Sequence, residues 1–189
     1  PMIVIVLPDI AEEDNLLASA RRADTDAQRR IYETYFPPIF NFIRLRISDT
    51  QQAQDIAADV FLDFFVALKG NRPPQKSLRA WLFRVARNKI YDHYGKRDRL
   101  PTTTLDDWMA ADYDADPANA FMKTHSRERI KQVLGMLTAD HQEVLILRFG
   151  QALSLQETAD IMNKSVSAVK SLQFRAVDRL RQLLGADNG

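Results

Sequence analysis

The stretch from Leu100 to Ala120 divides this chain in two. It holds Pro101 and Pro117, a threonine-rich start and five aspartates, with no Lys or Arg and little apolar periodicity. A segment of that composition buries too little apolar surface to offset the entropy of ordering its backbone, so it reads as a flexible acidic linker. On either side, apolar residues recur every three to four positions, the period of an amphipathic helix. The expected fold is therefore all-α: two small helical domains, residues 14–99 and 121–186, joined by the linker 100–120. Residues 1–13 remain as an N-terminal arm, either a short strand or an untethered terminus.

In the first domain, Ile31, Tyr35, Ile39, Phe42 and Ile43 mark one face of a helix from Asp26 to Ile47, with a kink expected at Pro37 and Pro38. Ser48 and Asp49 offer an N-cap for a second helix, Thr50 to Leu68, which Gly70 ends. After a turn at Pro73 and Pro74, Ser77 caps a third helix to about Tyr94. In the second domain the pattern predicts helices over Phe121 to Met136, Asp140 to Phe149, Ser154 to Met162 and Val166 to Leu184.

Charge is sorted by segment. Residues 1–68 carry 6 basic and 11 acidic groups, whereas residues 69–99 carry 10 basic and 2 acidic, inside a chain of net charge +1. A basic stripe in a nearly neutral protein suits a phosphate-backbone partner. With no cysteine and three scattered histidines, disulfides, thiolate zinc sites and a cysteine nucleophile are excluded and a histidine metal site is disfavoured. The apolar run Met2 to Leu7 falls far short of the roughly 20 residues that span a bilayer and lacks the flanks of a signal peptide, so the expectation is a cytoplasmic protein with no membrane insertion.

Two clusters carry chemistry. Leu155, Ala159, Ile161 and Met162, a break at Asn163-Lys164-Ser165, and then Val166, Val169, Leu172 and Val177 have the spacing of a helix-turn-helix, whose second helix enters the DNA major groove. Its outer side offers Ser167, Lys170, Ser171, Gln173, Arg175 and Arg179, residue types that bond phosphates and base edges. In the other cluster, Arg84, Arg87, Lys89, Lys96, Arg97 and Arg99 alternate with Trp81, Phe83, Tyr91 and Tyr94. Cations beside aromatics hold a single strand by backbone attraction and base stacking. A plain helical hairpin and a core helix with solvated cations are the structural alternatives.

Three strings in order resemble the extracytoplasmic-function sigma factors of bacterial RNA polymerase, over roughly residues 14 to 184. The string Gln54-Asp55-Ile56-Ala57-Ala58-Asp59-Val60-Phe61-Leu62 is similar to the helix that docks on the polymerase clamp. Leu78-Arg79-Ala80-Trp81-Leu82-Phe83-Arg84-Val85-Ala86-Arg87-Asn88 resembles the block that reads and melts the minus-10 promoter element. The helix-turn-helix from Leu153 to Ser171 resembles the one that reads the minus-35 element. The resemblance implies a promoter-recognition subunit without catalytic activity, cofactor, metal or small-molecule substrate. Its partners would be RNA polymerase core, promoter DNA and an anti-sigma factor. The implied polymerase contacts are Asp55, Asp59, Phe61 and Asp63. The implied minus-10 contacts are Lys76, Ser77, Trp81, Arg84, Arg87, Asn88 and Lys89, and the implied minus-35 contacts are Ser165, Ser167, Lys170, Ser171, Phe174 and Arg175.

The chain departs from the family pattern at Ala58, where glutamine is usual, at Leu172, where arginine follows the Val-Lys-Ser string, and at Asn163, where glycine is common. Leu172 suggests an altered phosphate contact. Asn163 suits the turn, since asparagine tolerates left-handed backbone angles. The main rival function is a stand-alone helix-turn-helix regulator that binds duplex DNA as a dimer. A two-metal nuclease built on Asp55, Asp59 and Asp63 fails on distance: positions 55 and 63 lie about 12 Å apart along a helix, against roughly 4 Å between paired metals.

Overall fold

The computed structural model describes residues 7–44, 46–70, 72–94, 129 and 132–185. The acidic linker, most of the helix expected from Phe121 to Met136, and residues 1–6 lie outside these. The described residues are helical, in seven principal helices with one π-helical turn.

Helix α1 (Ile10–Arg21) begins at Asp9, whose carboxylate accepts from the Glu12 N–H at 2.8 Å. Its inner face is Glu13, Leu16, Leu17 and Ala20. The arm expected over residues 1–13 is thus corrected: residues 10–13 are the first turn of a helix, and Leu7 is buried beside it. The reason is the glutamate. With Glu13 on the inward side and only two leucines beside it, the apolar period is too weak to read. Helix α2 (Thr25–Arg44) starts under Asp24, which accepts from the N–H groups of Asp26 and Ala27, and is helical through Pro37 and Pro38. Helix α3 (Thr50–Lys69) is capped by Asp49 onto the Gln52 N–H and closed at Gly70. Helix α4 (Leu78–Tyr94) starts at Ser77, whose Oγ accepts from the Ala80 N–H at 3.1 Å. These helices bury Ile31, Tyr35, Ile39 and Phe42 against Val60, Phe61 and Phe64 and against Leu78, Leu82 and Phe83.

Further along the chain, residues 132–135 are helical. Helix α5 (Ala139–Leu145) starts at Thr138, and a π-helical turn over Ile146–Gly150 replaces the α-helix expected as far as Phe149. Helix α6 (Leu155–Met162) carries a full capping box, with Ser154 Oγ accepting from the Glu157 N–H and the Glu157 carboxylate accepting from the Ser154 N–H. Asn163 follows at φ 53°, ψ 48°, the left-handed angles expected of it, and Ser165 starts helix α7 (Val166–Gly185) by accepting from the Ala168 N–H. Helices α5 and α6 both pack on α7, burying Val144, Ile161 and Met162 with Val169, Leu172 and Ala176. Helix α6 also packs on α4, and the buried apolar residues of both helical groups form one contiguous cluster.

Candidate nucleic-acid interface

The α3 surface follows from its register. Positions 53, 56, 57, 60, 61 and 64 face the core, which leaves Asp55, Asp59, Leu62, Asp63 and Val66 in one exposed stripe. Leu62 and Val66 are 60 % and 63 % exposed, a high value for large apolar side chains. Phe61, expected as a partner contact, is corrected. It is 1 % exposed and packs against Tyr32 and Phe36, so its place is the core, one residue off the outward stripe. Asp63 is already engaged, 2.8 Å from Lys89 Nζ on α4.

On α4, Phe83 is fully buried and belongs to the core, so of the interleaved aromatics it is excluded from base stacking. Trp81 is half-buried, edge-on to Phe64 at 5.9 Å between centroids, and its outer part borders a cleft of about 530 Å³. The cleft is lined by Arg72, Pro73, Pro74, Lys76, Ser77, Trp81 and Arg84, with Asp160 of α6 on its far side. Lys76, Arg84 and Asn88 are exposed.

Further along the same helix the cations are held. Arg87 Nε donates to Glu143 Oε1 of α5 at 2.6 Å and its guanidinium lies 4.5 Å over the Tyr91 ring. The Tyr91 hydroxyl donates to the other Glu143 oxygen at 3.1 Å, and Arg46 comes within 3.8 Å of it. Burial works against the charge on Arg87, but Glu143 outweighs it and raises the guanidinium above its ordinary range. Burial, with the Glu143 charge, pushes Tyr91 up to about 12. At the start of α4, Ser77 Oγ donates to Glu157 Oε1 of α6 at 3.1 Å.

Beneath Ser77 is a second carboxylate. Glu13, 2 % exposed, accepts from the Leu78 and Arg79 N–H groups, from Arg79 Nε at 2.7 Å and from the Tyr35 hydroxyl at 2.5 Å. It serves as an anion at a helix N-terminus, reached from a separate helix. Burial and this carboxylate raise the Tyr35 hydroxyl beyond its ordinary range, and Arg79 is held above its own by Glu13 despite burial.

The α7 surface is simple by comparison. Ser165, Ser167, Lys170, Ser171, Phe174 and Arg175 are all exposed, and Phe174 is 73 % exposed. Leu172, 7 % exposed, faces α6 and α5, so where the family pattern places arginine this chain places core. Gln173 accepts from Arg148 Nε at 2.9 Å, which draws it off the outward row.

Comparison with known families identifies the chain. The family model for Sigma-70 region 2 matches residues 31–100, and that for Sigma-70, region 4 matches residues 133–182. The ECF RNA polymerase sigma factor BldN of Streptomyces coelicolor is 31 % identical over 180 residues, covering 95 % of this chain and 68 % of the relative. This chain belongs to the extracytoplasmic-function sigma factors. SigD of Mycobacterium tuberculosis, another ECF sigma factor, is 32 % identical over 175 residues, covering 89 % of this chain and 82 % of SigD. The fold is shared with CnrH, solved in complex with the cytosolic domain of CnrY (TM-score 0.65, 24 % identity, 93 % of this chain and 99 % of that one). It is shared also with RpoE from Bartonella quintana, solved with the anti-sigma factor NepR (TM-score 0.59, 24 % identity, 85 % and 98 %). The sigma factor directs RNA polymerase core to promoters; its partners are that core and promoter DNA. Among its described residues no helix is long and apolar enough to cross a membrane.

Sequence reading of this sigma factor missed Glu13, Arg79, Glu143 and Glu157, and the apolar pair Leu62 and Val66. One signal was present for the first and third. Glu13 shares a face with Leu16, Leu17 and Ala20, and Glu143 with Ala139 and Ile146, so each is a carboxylate at an inward position of a helix and needs a partner.

Proposed function

We propose that the three surfaces divide the work of initiation as follows. The α3 stripe docks on the polymerase clamp, with Asp55 and Asp59 steering toward basic groups and Leu62 and Val66 forming the apolar centre. Hot spots of this kind are apolar at the middle and charged at the rim. Lys76, Ser77, Trp81 and Arg84 hold an unpaired base of the minus-10 strand in the cleft beside Trp81. Arg87, Asn88 and Lys89 carry the backbone onward. The size and lining of the cleft support this assignment: about 530 Å³, one aromatic wall and three cations. Ser165, Ser167, Lys170, Ser171, Phe174 and Arg175 read the minus-35 duplex, Phe174 making apolar contact in the groove. Residues 14–99 and 121–186 act as two promoter-reading domains joined through residues 100–120. The chain itself catalyses nothing and works in the cytoplasm. An anti-sigma factor competes with polymerase for the α3 stripe.

Run-off transcription with purified core polymerase on a promoter library tests this. Wild-type chain should initiate at a defined subset, and the Asp55→Arg, Asp59→Arg double variant should lose initiation. Tight, dimeric binding to duplex DNA by the chain alone, with no initiation by any core, would instead establish the stand-alone regulator.

A further inference from the structure

Arg148 ties together two parts of the helix-turn-helix. It lies in the π-helical turn Ile146–Gly150, a rare backbone form that recurs at functional sites. From there its Nη1 donates to the Leu153 carbonyl, one residue before the α6 cap Ser154, and its Nε donates to Gln173 Oε1 of α7 at 2.9 Å. Leu153 is fully buried and its own N–H donates to the Leu147 carbonyl at 3.0 Å, so the backbone that holds the guanidinium is itself held. Arginine only donates, so the Gln173 atom that it meets is the carbonyl oxygen, and the amide nitrogen is turned elsewhere. Among the described residues nothing accepts from that nitrogen. Gln173 is half-buried at the edge of the exposed row, one turn after Lys170 and next to Phe174.

We infer that Arg148 is a specificity-determining positioning residue of the minus-35 reader: by engaging the Gln173 carbonyl it withholds the adenine contact and leaves Gln173 a donor only. This rests on the reading of α7 as the minus-35 surface. A free glutamine reads adenine with both atoms side by side, its oxygen accepting from N6–H2 while its nitrogen donates to N7. With the oxygen turned toward the π-turn, the two atoms do not face one base edge together, and the second lone pair of the oxygen does not restore that geometry. What remains is a pair of N–H donors, which suits a base edge made of acceptors. Guanine shows N7 and O6 in the major groove and thymine shows O4, whereas cytosine shows a donor. Arg148 itself needs no contact with the base. It changes what position 173 reads by choosing which atom of the amide is left over.

The test uses the full chain with core polymerase on a promoter that the wild type initiates from, with its minus-35 element randomised and transcripts counted by template sequence. The uniform effect of losing a cation cancels in such ratios. Gln173→Leu marks the position that Gln173 reads as the one whose preference it flattens, and wild type should favour guanine or thymine over adenine there. Arg148→Met keeps an unbranched stem, frees the oxygen and should raise the share of adenine at that position about tenfold. Gln173→Glu keeps the acceptor for Arg148 and puts an oxygen in place of the amide nitrogen, so the preference should move to the donor edge of cytosine. In the Gln173→Leu background, Arg148→Met should shift nothing further. An arginine that only braced the turn at Leu153 would alter the pattern equally with or without Gln173. If Arg148→Met does not fold, Gln173→Glu, which leaves Arg148 in place, carries the test. A wild-type preference for adenine, a Gln173→Leu profile identical to wild type, or an unchanged preference in Arg148→Met and Gln173→Glu overturns the inference and leaves the reading of α7 standing. No minus-35 selectivity even in wild type overturns that reading, and the inference with it.

Discussion

Helices α4 and α7 present the same kinds of side chain, lysine, arginine, serine and an aromatic, and differ in what stands in front of them. Helix α7 touches α5 and α6 along Val169, Leu172 and Ala176, and its opposite row faces solvent. Helix α4 is packed by α2 and α3 on one side and by α6 on another, and carboxylates of the C-terminal half meet Ser77 at its start and Arg87 along it. Residue type alone therefore does not say which polar groups are free: Ser77 and Arg87 are already engaged by acids of the C-terminal half. A basic segment should be read together with the inward-facing glutamates elsewhere in the chain.

The contrast predicts unequal responses to mutation. The largest is at Glu13. Glu13→Ala strips the partner from buried Arg79 and from the Tyr35 hydroxyl, and should cost about 3–5 kcal/mol, read as a shift in the urea midpoint. If the halves are separable, an isolated fragment of residues 129–189 should bind minus-35 duplex normally beside it. Next comes the turn: Asn163→Val forces a β-branched residue to a left-handed conformation and should cost about 1–2 kcal/mol, whereas Asn163→Gly should be nearly neutral. Thermal unfolding of the same fragment distinguishes the two. Lys170→Ala on the exposed row should weaken minus-35 binding about equally across sequences and reduce the slope of log affinity against log salt by about 1. A cost confined to one sequence would make Lys170 a base reader. The smallest effect is that of acid on the C-terminal half. Burial and nearby Arg175 lower the pKa of His141 from its ordinary 6.5, with Asp140 opposing. Below pH 6.5 the unfolded chain binds the proton first, so stability is fully present above that pH and falls as pH drops toward the folded value. His141→Gln should flatten that part of the curve.

Much of this was legible beforehand. The periods through Ile31 to Ile43 and Ile56 to Phe64, the caps Asp49 and Ser77 and the turn at Asn163 are local signals, and the structure has them where the sequence put them. Two things were not, and a third was misassigned. Helix α1 hides its period behind Glu13. Phe61 falls on the inward period of Ile56, Val60 and Phe64, and it was the family resemblance, which carries no information on rotation, that assigned it to the polymerase. The pairing of Glu143 with Arg87 joins residues 56 positions apart, and no local pattern carries it.

Glu13 also sets an order of events. It is synthesised early, on the first helix, but the Leu78 N–H that donates to it and the Arg79 guanidinium that neutralises it come 65 and 66 residues later. At about 5–20 residues per second the ribosome needs several seconds to add them. Until then α1 and α2 have the Tyr35 hydroxyl to offer that carboxylate and no cation to bury with it, so solvent is its better environment. The N-terminal helices thus have reason to stay loosely associated until the start of α4 arrives. The same carboxylate that pairs with Arg79 also caps the start of α4 through the Leu78 and Arg79 N–H groups.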